Sequence, residues 1–340
     1  GSVSLAGHTG TISIAAPSIT SNGNFDSAGG DFSSALPDPG VDAPAPDAGA
    51  TATADATLVV APPPLIDTGT GDAIIHQTGT VTLSAAIAAG SLDLTSGGDV
   101  QVQAAVDTTG ATSITSEGDL TIAADVTASD AALSAATDLV VAAAVTADGD
   151  SGEIVLTAGG SATVASTGSL TAADDIAVTA DAITVAGNVT ATNTAESTSP
   201  RIDLSARTDL TVAETGTVSA AGTQGANGGE VRLAAHSQNE TEPGVIFLHG
   251  AVHADGLSGG DLFIEGDSIL ASGILTADGT NEGGTITVDA GSRILATASA
   301  LVSARGETGV GGEISIYAGE SLYTSARHDA TGHAGGRVQL

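Results

Sequence analysis

The chain has 340 residues, 41% of them hydrophobic but only 2% aromatic, and it sets 40 acidic residues against seven arginines and no lysine, for a formal net charge of −33. Such a surface rules against nucleic acid and anionic membrane as partners, because both select basic proteins. The scarcity of Phe, Tyr and Trp rules against a large globular core, and the absence of cysteine removes disulfides and thiol chemistry.

In chain order, residues 1–21 come first, and the strand motif from Val3 to Thr20 reads as one coil of a repeat that recurs below. Residues 22–72 depart from it. They hold seven of the ten prolines, among them Pro37, Pro39, Pro44, Pro46 and the run Pro62, Pro63, Pro64. Proline cannot donate to a strand ladder, so 22–72 reads as an insertion or extended loop. The alternative to a plain loop is that its stretch VDAPAPDAGATATADATLVV wraps the main body or bridges to a neighbour.

Residues 73–340 carry the repeat. LDLTSGGDVQVQAAV from Leu92, TSITSEGDLTIAADV from Thr112 and AALSAATDLVVAAAV from Ala131 align almost without gaps, bringing Asp99, Asp119 and Asp138 into register. IAVTADAITVAGNV from Ile176 and IDLSARTDLTVAETGTV from Ile202 continue it, with Asp181 and Asp209 at the turn. Stacked one coil apart, the three carboxylates would sit roughly 5 Å from one another, and like charges so placed need compensation. Backbone N–H groups of each turn supply it in one reading. In the other, Ca²⁺ bridges the coils, helped by the carbonyls of Gly98 and Gly118. Asp148 and Asp150, with Glu153, form a second acidic turn and complete the calcium candidates; calcium is the one cofactor expected.

From residue 228 the repeat takes a second form: GGEVRLAA at Gly228, GGDLFIEG at Gly259, GGTITVDA at Gly283, GGEISIYA at Gly311 and GGRVQL at Gly335. Upstream of the first four stand GTVSAAG, GAVHADG, GILTADG and ALVSARG. Each repeat therefore holds at least two short strands divided by glycine turns. Within the strands the period is two, which places Val231 and Leu233, Leu262 and Ile264, Ile286 and Val288, Ile314 and Ile316 inward. In the tighter repeats Val100, Val102, Leu120, Ile122, Leu139 and Val141 point inward by the same rule.

Repeats of variable length absorb insertions at turns while strands stay in register, which fits a parallel β-helix. Glycine has no period of three, so collagen fails; disorder fails because the hydrophobic residues alternate strictly. Small and β-branched side chains stacking between coils do not require aromatic residues.

GILTADGTNEGGTITVDAG, ALVSARGETGVGGEISIYAG and GAVHADGLSGGDLFIEG resemble the repeats of filamentous haemagglutinin-type exoproteins, the secreted partners of two-partner secretion systems. The resemblance is closest over residues 202–340 and implies long right-handed parallel β-helices that act as adhesins or biofilm-matrix rods outside the cell. Their secretion domain carries an Asn-Pro-Asn-Gly type motif, which this chain lacks, so it is either an internal segment or a protein that reaches the surface by another route.

The resulting expectation is an all-β, right-handed parallel β-helix of about a dozen coils, roughly 55–60 Å long. Its expected role is as a structural and adhesive segment of an extracellular surface or biofilm fibre, with no catalytic residues. The expected partners are further copies stacked head to tail, or the rest of a longer chain, and cell-surface or matrix glycans, with no nucleic acid and no membrane insertion. The alternative is a polysaccharide-binding or glycan-cleaving β-helix enzyme. For that role Asp174 and Asp175, adjacent in sequence, point to opposite faces, and the arginines are scattered. His249 and His253 lie roughly 13 Å apart in extended chain, too far to share a metal, whereas a turn could bring His328 and His333 together.

Overall fold

Alternating apolar residues only acquire a common core if equivalent strands stack on one another, and they do. The computed structural model describes residues 70–192, 199–223, 225–236 and 244–340, together with the backbone pairing of short strands nearer the N-terminus. Every pairing is parallel and joins a strand to its equivalent one coil away, for example Val106–Thr108 to Val126–Ala128, Thr112–Ser116 to Ala131–Ala135 and Leu120–Ile122 to Leu139–Val141. Each coil so contributes one strand to each of three faces. The first face is a sheet of 14 strands, and the second and third run together in a sheet of 25. The fold is a parallel β-helix, and parallel crossovers of this kind are right-handed.

The coil lengths follow the motifs. On the second face Val231 pairs with Leu262, Leu262 with Ile286, Ile286 with Ile314 and Ile314 with Val338. These are the spacings at which the glycine pairs recur. From Asp72–Gln77 to Arg337–Gln339 this face holds twelve rungs, about 55 Å at the usual strand separation.

The inward assignments hold at all fourteen positions, from Val100 to Ile316, each of which is buried. A register slip of one residue would have turned the whole set outward. The core is three stacked apolar walls meeting in the middle of the coil. One exception shows how tightly it is filled. Thr112 occupies a column of Leu, Ala and Ile, and its hydroxyl is satisfied by Thr108 Oγ1 at 2.8 Å inside the core.

The glycine pairs are explained by close approach of coils. A Cβ on the second glycine of each pair would run into backbone of the coil below: Gly260 against Gly229, Gly284 against Gly260, Gly312 against Gly284. A Cβ on the first would meet a carbonyl of the Ala-x-Gly turn in the coil above, Gly228 against Ala254 and Gly259 against Ala277. The two sequence signatures of the repeat are the two sides of one contact.

Near the N-terminus, Phe25–Asp26, Phe32–Ala35, Leu58–Val60 and Ile66–Asp67 pair in the same ladders. The seven prolines of 22–72 and the residues around them lie outside the described residues.

Each rung of the first face places one apolar residue in its central inward column, from Val106 and Val126 to Leu275 and Val302, and in the next rung His328 follows Val302. Its Nε2 meets Thr324 Oγ1 at 3.1 Å, while Nδ1 is buried with no hydrogen-bond partner among the described residues. Burial holds the imidazole below its ordinary value. The unfolded chain then binds a proton that the folded chain resists, so stability is full above about pH 6.5 and declines as pH falls below it. His328→Val should raise the thermal midpoint and remove this decline between pH 7 and pH 5, as measured by circular dichroism melts; an unchanged acid slope would refute it.

Candidate functional site

The three aspartates of the aligned repeats are brought together, at the corner between the second and third faces. The corner is shaped by Ser96 and Ser116, which are buried; Ser116 Oγ donates to the carbonyls of Gly98 at 2.8 Å and Asp119 at 2.9 Å. The aspartates then point up the rod. Asp99 Oδ1 accepts the N–H of Asp119 at 3.0 Å, Asp119 Oδ1 that of Asp138 at 3.2 Å, and Asp138 Oδ1 that of Ser161 at 2.7 Å. The Thr137 hydroxyl donates to Asp119 and the Ser161 hydroxyl to Asp138. These bonds from the Ser161 N–H and hydroxyl hold the Asp138 carboxyl below its ordinary value.

Compensation thus comes from the turn one coil above, where the sequence suggested each aspartate's own turn. The same device recurs around the rod: Asp125 accepts from Ala144, Asp130 from Glu153, Asp175 from Arg201, Asp255 from Asp278 and Asp278 from Arg305. A carboxylate here replaces the carbonyl that the ladder lacks at its corners.

Asp148 and Asp150 sit on a different corner, in the turn between Ala144–Ala147 and Ile154–Ala158, and both are exposed. They do not join the aspartate column. The Gly98 carbonyl proposed as a calcium ligand already receives Ser116, and the Gly118 carbonyl receives the Thr137 N–H. Among the described residues no three His, Asp or Glu side chains are grouped as metal ligands. If the hydrogen bonds from the coil above are the whole compensation, chelation leaves the thermal midpoint unchanged. Asp119→Ala, which removes the acceptor for Asp138 N–H, should cost about 1 kcal/mol, and Asp119→Asn, which keeps an acceptor oxygen, should cost less. A midpoint that drops on adding chelator would reverse this reading.

Sequence reasoning missed a denser polar corner above the first face. His253, Thr276 and Ser303 stand in register, as do the turn residues Asp255, Asp278 and Arg305 that follow them. Thr276 Oγ1 lies 2.7 Å from both His253 Nδ1 and Asp255 Oδ2. Burial alone would raise the Asp255 carboxyl, but hydrogen bonds from His253, Thr276 and the Asp278 N–H, with the nearby imidazole, hold it below its ordinary value. One coil higher, Ser303 Oγ and the Arg305 guanidinium close on Asp278 at 2.7 and 3.2 Å. The signal was present as Ala-Asp-Gly, Ala-Asp-Gly, Ala-Arg-Gly at one repeat position. His249 instead lies at the edge of the third face, bonded to Ser272 at 2.8 Å. His328 turns into the core, whereas His333 lines an outer groove with Arg305 and Thr331, so the two form no pair.

A second groove, of about 200 Å³, is lined by Glu153, Asp175, Arg201 and Asp203 on the second face. Arg201 bridges Asp203 at 3.0 Å and Glu230 at 3.4 Å. Partial burial, with Asp174 and Glu230 nearby, raises the Asp175 carboxyl against the opposing N–H and charge of Arg201. Compared with known proteins, no family model matches the chain and no curated protein matches it.

Proposed function

We propose that this chain is a rod-forming segment of an extracellular surface or biofilm-matrix fibre, with a structural and adhesive role. The observation that carries the reading is the uninterrupted parallel ladder from residue 72 to residue 339, in which every rung bonds to the next along one axis. Long solenoids of this kind stay ordered without a globular core because each coil buries its neighbour. The net charge of −33 keeps the sides of such rods apart. The resemblance of the repeats to filamentous haemagglutinin-type exoproteins points the same way and supports a location outside the cell.

Val338 continues the inward column of Ile286 and Ile314, yet it is 44% exposed. A rung stacked on it would cover an apolar side chain and pair strand groups; the rest of a longer chain supplies one in one case, and a second copy in head-to-tail contact in the other. Such a heterologous contact does not close, so it builds filaments. Electron microscopy and sedimentation of the chain at high concentration should show one-rod-wide filaments that Val338→Asp abolishes. A monomer at every concentration would count against end-on assembly.

The groove at Arg201 favours a second reading, a glycan-cleaving enzyme in which Asp175, with its raised carboxyl, acts as the acid beside Glu153. Cleavage of a polysaccharide lost in Asp175→Asn, with the fold intact, would support it. No shortening of neutral or uronate polysaccharides by the wild-type chain would dispose of it.

A further inference from the structure

On the outside of the third face the surface changes character at residue 245. In the lower coils the central outward column is mostly threonine, including Thr121, Thr163, Thr184 and Thr211. Above Thr211 the same column continues as Phe247, Leu270, Leu295 and Tyr323, in register across four successive rungs. Leu295 is 45% and Tyr323 68% exposed. Phe247 stacks against the His249 ring with centroids 6.3 Å apart. Among the described residues every exposed large apolar side chain lies between Leu257 and Leu340.

Charge sets this strip apart as well. Residues 1–200 hold 23 acidic residues and no arginine, and residues 201–340 hold 17 acidic residues and all seven arginines. Lower on this face Asp99, Asp119, Asp138 and Asp209 line the edge, whereas beside the apolar ladder that edge column continues as Val245, Ser268, Arg293 and Ser321; the nearest carboxylates, Asp267 and Glu320, are engaged by the Gly244 N–H and the Ser292 hydroxyl. Six arginines pair with a carboxylate: Arg201, Arg207, Arg232, Arg305, Arg327 and Arg337. Arg293 is exposed and has no carboxylate partner among the described residues. An unpaired guanidinium in so acidic a chain, beside an apolar ladder, marks a place for an external carboxylate.

We infer that this strip binds a linear, uronic-acid-bearing polysaccharide laid along the rod axis. Four rungs span roughly 15 Å and the strip is one strand wide, on the order of 200 Å². That is far below the ~800 Å² per partner of a stable protein interface, but it suits a chain one sugar ring wide. An extended pyranose chain advances about one ring per rung spacing of ~4.8 Å. The apolar face of each ring covers a ladder side chain, ring hydroxyls meet the flanking serines and threonines, and Arg293 takes a carboxylate in two parallel hydrogen bonds. Repulsion from the more distant acidic residues is screened beyond about 8 Å at physiological salt.

The test is calorimetric titration of the whole chain with a hyaluronan hexasaccharide and a polygalacturonate oligosaccharide, with cellohexaose as the neutral control. Binding of at least one uronate probe is expected, at least tenfold tighter than cellohexaose, and weakened at least tenfold by Arg293→Gln and by Leu295→Ser. Both residues are on the surface, and unchanged melting midpoints would show that the variants fold. Binding by neither uronate probe, or binding untouched by both substitutions, overturns the inference. So does concentration-dependent dimerisation that Leu295→Ser abolishes, since it would assign the strip to a second copy. None of these outcomes bears on end-on filament formation, which is read separately at Val338.

Discussion

Gly284→Ala is expected to detach the C-terminal rungs, at a cost of about 3 kcal/mol or more. The new Cβ would fall on the Gly260 carbonyl oxygen and the Gly259 carbonyl carbon of the coil below, far inside the 3.0 Å that real Cβ atoms respect. Both are backbone, so no side chain can swing aside. Relief requires lifting the rung, which breaks the bonds that seat it: Gly284 N–H to the Ala277 carbonyl at 2.7 Å and Thr285 N–H to the Gly260 carbonyl at 3.0 Å. Because rungs depend on their nearest neighbours, the damage should be local. Urea unfolding should split into two phases, with residues beyond 284 becoming sensitive to protease first. Gly225 is the control. It has φ of 87° with open space around it, so Gly225→Asn should cost only about 1 kcal/mol. Equal, small effects at both positions would show that the coils are not as closely seated as the pairing indicates.

The fold was legible because the strand period and the coil period are independent signals that agree. Alternation at Val231, Leu233, Leu262 and Ile264 set the face, and the glycine pairs set the distance to the next coil. The reason for the pairs was not legible, since the contact joins residues of different coils, as far apart in sequence as Gly229 and Gly260. The aspartate column was visible at Asp99, Asp119 and Asp138 as a spacing, but spacing does not tell an acceptor for the next coil's N–H from a cation ligand. That distinction depends on which way the carboxylate leans along the axis. Phe247, Leu270, Leu295 and Tyr323 escaped notice for a related reason. They lie 23, 25 and 28 residues apart, in coils of different length, and only the register of the third face aligns them.

Leu120→Asp should abolish cooperative folding of the middle coils, and Leu120→Ala should cost about 3 kcal/mol. Leu120 is fully buried, between Val100 below and Leu139 above in one inward column. Its side chain is worth about 1.5–3 kcal/mol in burial alone. Truncation adds a cavity that neighbouring rungs, fixed by ladders on three faces, cannot close. A carboxylate there would be stranded among Val, Leu and Ile with no donor in reach, since the N–H groups of the strand are already committed to adjacent coils. Thr121 supplies the comparison: it is the next residue on the same strand and points outward, so Thr121→Ala should lie within about 0.5 kcal/mol of wild type. Equilibrium unfolding in urea measures all three. The pair Leu120 and Thr121 is decisive because a strand displaced by one residue exchanges their roles. A larger loss at Thr121 than at Leu120 would place the wall of Val100, Leu120 and Leu139 on the outside of the rod and invalidate the register of every coil stacked on it.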